Sequence, residues 1–82
     1  MQQEKTDAAI PELVSASQAL EDNPQALAPV VYNLAYAYAK KGQWAFAKVM
    51  VDRAVQIPGP YQKLSQDLRD RIQRASTQPV RR

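Results

Sequence analysis

The chain has 82 residues, no cysteine, no histidine and a formal net charge of +3. That length holds one small domain, whose core is marginal by itself. The missing Cys and His exclude disulfides, thiolate or imidazole metal sites and the usual nucleophile–base pairs; the two isolated glycines, Gly42 and Gly59, make no phosphate-cradling loop.

Residues 1–6 are polar and read as a frayed N-terminus without an apolar signal core. No stretch approaches the roughly 20 apolar residues of a membrane span. The chain therefore reads as soluble, with a cytoplasmic location favoured. A single helical domain is expected over residues 7–75. Its first helix runs from about Asp7 or Pro11 to Glu21, with Ile10, Leu13, Val14 and Leu20 on one face and Ser17 as a gap in it. Asp22-Asn23-Pro24 reads as a turn in which Asn23 can cap the next helix.

Pro29 favours a fresh helix start near Ala28. That second helix places Val31, Leu34, Ala35 and Tyr38 on one face. Lys40 and Lys41 suit the negative end of its dipole, and Gly42 supplies the left-handed stop. A third helix is expected from Gln43 to Gln56, with Ala47, Met50, Val51, Ala54 and Val55 inward, ended by Ile57-Pro58-Gly59-Pro60. The last, from Tyr61 to Ala75, carries a narrow stripe of Tyr61, Leu64, Leu68, Ile72 and Ala75. Asp67–Arg71 and Asp70–Arg74 are spaced as i,i+4 pairs on its wet side. Residues 76–82 read as a disordered basic tail. The fold class is all-α, with four antiparallel helices joined by short turns.

Charge is uneven along the chain. Residues 1–27 carry five carboxylates against one lysine, while residues 63–82 carry six cations against two carboxylates. This gradient bears on association more than on fold.

The stretch from about Ala28 to Pro58 resembles a tetratricopeptide repeat, a 34-residue helix-turn-helix with a W-x₂-L-G-x₂-Y, A-x₃-F, P pattern. Val31 stands at the tryptophan place, followed by Leu34, Ala35 and Tyr38. Gly42 falls in the turn and Trp44 at the aromatic place after it. Ala47 and Ala54 are the small residues, Val51 replaces the phenylalanine, and Pro58 comes one residue early. Ala19, Leu20 and Pro24 resemble the end of a preceding repeat, although Glu12 falls where a small residue is expected. Tyr61, Leu64, Ser65 and Leu68 resemble the start of a following one, and its charged exterior resembles a capping helix.

The resemblance implies a non-catalytic adaptor or scaffold that binds a partner peptide or helix through the face of residues 28–41. The expected contact residues are Tyr32, Asn33, Tyr36 and Lys40, with the alternative that Tyr32 and Tyr36 pack on Leu13, Val14 or Leu64. Some family members hold a partner's terminal carboxylate with Asn and Lys or Arg. Asn33 stands at such a place, and Lys63 falls at a matching place in the last helix. A second reading is self-assembly, with Glu12, Glu21 and Asp22 of one copy against Lys63, Arg71 and Arg74 of the next. A third, ranked lower, is nucleic-acid binding by the arginine-rich tail. No cofactor, metal or catalytic residue is expected.

Overall fold

The structure, a computed structural model, describes the backbone of residues 2–77 and the side chains of residues 8–76. It is all-helical: α1 (Gln2–Ala19), α2 (Pro24–Lys40), α3 (Trp44–Val55) and α4 (Pro60–Thr77). Connections of three or four residues join helices that pack on each other in sequence, so successive helices run antiparallel.

Both N-terminal boundaries differ from the sequence reading. α1 includes residues 2–6, which read as frayed, and contains Pro11 instead of starting near it. α2 starts at Pro24, four residues before the expected Ala28, and contains Pro29. The physical reason is local. Asn23 caps α2: its Oδ1 accepts the Ala26 N–H at 3.3 Å, and Pro24 takes the first helical position, where no N–H is needed. Pro29 lacks the N–H that would reach the Gln25 carbonyl, and α2 runs on through it with that one helix bond missing. At the other end, α4 continues to Thr77, two residues beyond the expected Ala75. The remainder of the expected tail, residues 78–82, lies outside the described residues.

The α2–α3 turn is closed by backbone geometry. Gly42 adopts φ +75°. Its N–H donates to the Ala39 carbonyl at 3.0 Å, and the Gln43 N–H donates to the Tyr38 carbonyl at 3.0 Å. These are the two bonds of a Schellman stop, which satisfy carbonyls that the helix end would otherwise orphan.

α2 is the central element. It packs on α1, α3 and α4, whereas α1, among the described residues, approaches α2 alone. The fully buried residues of α3 are small or branched, Ala47, Val51 and Ala54, and Trp44 and Met50 pack half-buried against the same core. Ala47 and Val51 join Ala35 of α2 with Leu68 and Ile72 of α4 in one cluster. Ala54 joins Leu27 and Val31 of α2 in a second. Small residues at the crossings let the helix axes close up, and Leu68 and Ile72 fill the space beyond them.

α4 keeps Tyr61, Leu68 and Ile72 of the expected stripe on its inner side but has Ser65 there in place of Leu64, and Ala75 lies outside. Ser65, Leu68 and Ile72 are inside with Tyr61 half-buried, while Leu64 is 47% exposed and Ala75 is exposed. Positions 61, 65, 68 and 72 follow the helical period. Leu64 lies off that line, and its apolar character alone does not turn it inward. Nor do the i,i+4 pairs of α4 close among the described residues. Arg69 instead reaches across to α3, its Nη1 lying 4.0 Å from Asp52 Oδ1.

Candidate functional site

Burial of α2 on three sides leaves one strip of it open. Gln25, Pro29, Asn33, Tyr36 and Lys40 recur at i, i+4, i+8, i+11 and i+15, which keeps them on one line of the helix. All but the half-buried Pro29 are exposed. Tyr36 is the aromatic of this strip, 46% exposed. The Lys40 ammonium lies 5.7 Å from its ring centroid, within cation–π range.

Open grooves flank the strip. On one side, α1 contributes Ala9, Glu12, Leu13 and Ala16, facing Asn33, Tyr36, Ala37 and Lys40 across a groove of about 590 Å³. On the other, Ala39 and Trp44 face Leu68, Arg71, Ile72 and Ala75 of α4 across about 200 Å³. Tyr36 and Lys40 border both grooves and form the ridge between them.

The expected contact residues separate. Asn33, Tyr36 and Lys40 come together on the open strip. Tyr32 does not join them: it points toward α4, half-buried, with its ring 5.6 Å from that of Tyr61 and tilted by 54°. It packs against both core clusters, and its ring neighbour is Tyr61 in place of the expected Leu13, Val14 or Leu64. Lys63 is exposed on α4 and lines neither groove. On α4 it lies about half a helical turn from the buried Leu68–Ile72 line, so the helical period holds it away from α2.

The residues of the repeat-like pattern lie between and around the helices. Val31, Leu34, Ala35, Ala47, Val51 and Ala54 are all buried. Tyr38 and Trp44 are half-buried at the margins, and Gly42 is in the turn. Tyr38 stacks on Phe46, with centroids 5.2 Å apart. Phe46 is itself 58% exposed, a surface aromatic absent from the sequence expectations. Its signal is nonetheless local: Phe46 lies one residue off the Ala47–Val51–Ala54 line. Arg71 reads in sequence as part of a solvated charged face, yet it lines the α2–α4 groove. Only the placement of α4 beside α2 reveals this.

Among the described residues, no group of three or more Asp and Glu side chains comes together as a metal site, and no helix is long and apolar enough to cross a membrane. The acidic Glu12, Glu21 and Asp22 are exposed on and just after α1, and the basic Lys63, Arg71 and Arg74 are exposed on α4. No protein-family model matches the chain, and neither a curated protein nor a solved structure matches it at a significant level.

Proposed function

We propose that this protein is a non-catalytic interaction module, built on a tetratricopeptide-type hairpin of α2 and α3, that binds a peptide or helix of another protein along the open strip of α2. The observation that carries this reading is the ridge of Tyr36 and Lys40 between two grooves. A central helix that is packed on three sides gives a rigid floor, and a half-exposed tyrosine supplies contact area at little entropic cost. The hairpin assignment is supported by the Gly42 stop and by small residues at Ala35 and Ala47, where the helices cross.

The test is a peptide array probed with the wild-type chain and with an Asn33→Ala, Tyr36→Ala double variant. Both side chains are exposed, so the variant should keep its helicity and melting temperature while losing most of the bound peptides. A variant that retains the full set of bound peptides overturns the reading.

Self-association is the second reading, favoured by the exposed acids at the α1 end and the exposed cations of α4, at opposite ends of the helix order. One copy's α1 end would lie against the next copy's α4, a contact that need not close into a ring. Sedimentation at low and high salt decides it. Growth with concentration at low salt, lost at high salt, is the expected result. A monomer at low salt and high protein concentration removes the idea.

A further inference from the structure

The two grooves beside the ridge differ in size and charge. The smaller, at roughly 200 Å³, falls below the ~300–1,000 Å³ of small-molecule sites and suits a side chain or two. Ala39, Trp44, Leu68, Ile72 and Ala75 make its walls apolar. The charged groups that line it are both cations, Lys40 from α2 and Arg71 from α4, and both are exposed. Among the described residues, no carboxylate lines it. Asp67, one turn before Arg71, neither lines the groove nor closes an ion pair with Arg71. The α1–α2 groove, by contrast, sets Glu12 against Lys40 and so favours neither sign.

From this we infer that the α2–α4 groove takes an aliphatic side chain flanked by carboxylates, presented by an acidic amphipathic segment of a partner protein. The aliphatic group would sit against Trp44, Leu68 and Ile72, and the carboxylates would meet Lys40 and Arg71 at the rim. Charge of this kind contributes selectivity and encounter rate more than raw affinity. The inference rests on the interaction-module reading and narrows it to one groove and one sign of charge.

Trp44 is the only tryptophan of the chain and lines the groove, so its emission reports occupancy. The probe is a short helical peptide, acetylated and amidated, with leucines at one-turn spacing and glutamates beside them. Its counterpart with lysine for each glutamate is the control. Titration into the full chain at low salt should give a saturable change in Trp44 emission with the acidic peptide and about tenfold weaker binding of the basic one. Lys40→Ala and Arg71→Ala should each weaken binding on the order of fivefold, with unchanged far-UV circular dichroism. Arg71→Lys should restore most of the loss, and Glu12→Gln should change little.

Equal binding of both peptides overturns the inference, because charge would then play no part. Binding that Asn33→Ala and Glu12→Gln abolish but Arg71→Ala spares also overturns it; the peptide would lie in the α1–α2 groove, and the interaction-module reading would survive. An emission shift on raising protein concentration alone would put a second copy in the groove and overturn it as well. Absence of binding by the acidic peptide overturns the inference, and the peptide array separately decides the module.

Discussion

Two buried serines show how a single hydroxyl can be settled or stranded. Ser17 of α1 is buried and donates to the Val14 carbonyl at 2.7 Å. Ser65 of α4 is fully buried, and its Oγ has no partner among the described residues. An unpaired buried polar group costs about 1–3 kcal/mol. Ser65→Ala should therefore stabilise the fold by about 1 kcal/mol, read as a rise in melting temperature of roughly 4–8 °C. An unchanged or lower melting temperature would show that the hydroxyl finds a partner in solution. Gly42 gives the opposite case. Beyond its two chain neighbours, a Cβ there would meet no described atom within 4 Å, so Gly42→Ala costs only what a left-handed φ of +75° imposes. That is roughly 1–2 kcal/mol, measured by denaturant unfolding.

At the scale of the element, the helices differ in how plainly their residues announce them. α3 is legible: Ala47, Val51 and Ala54 repeat at helical spacing, and the structure buries those three. Ala47→Leu would force a much larger side chain into a close crossing with α2 and α4, at a cost of about 1–3 kcal/mol or more. A melting temperature that does not fall would mean that the crossing is looser than described. The start of α2 is less legible. Pro24 and Pro29 both mark helix starts by type, and the choice between them rests on the Asn23 cap. Asn23→Ala should remove about 0.5–2 kcal/mol, with the long, exposed 3.3 Å bond favouring the lower end. In α4, residue type misleads: Leu64 is more apolar than Ser65, but the register set by Tyr61, Leu68 and Ile72 turns Ser65 inward.

At the scale of the molecule, α4 is what completes the core. Leu68 and Ile72 are the large buried side chains of the cluster that holds Ala35, Ala47 and Val51. A chain of 82 residues is stabilised by about 4–12 kcal/mol. Truncating a buried isoleucine typically costs about 2–5 kcal/mol. Ile72→Ala should thus remove a large share of the total, with a much lower denaturation midpoint. Deleting residues 60–82 should go further. It uncovers one side of both α2 and α3, and loss of a cooperative thermal transition is the expected result. A truncated chain that still melts cooperatively as a monomer would show that α1, α2 and α3 suffice.

Composition and period by themselves determined the helical class, the number of helices, the Gly42 stop and the inward face of α3, because these depend on backbone propensity and on neighbours three or four residues away. The division of roles on α2 was decided elsewhere. Tyr32 and Tyr36 are the same residue type one turn apart, and nothing local separates them. The position of α4 does so, by taking Tyr32 against Tyr61 and leaving Tyr36 on the open strip. It also brings Arg71 to the groove beside Lys40 and leaves Lys63 away from it. Which side chain becomes core and which remains surface depends on where a helix some 30 residues further along comes to rest, and that is a matter of packing.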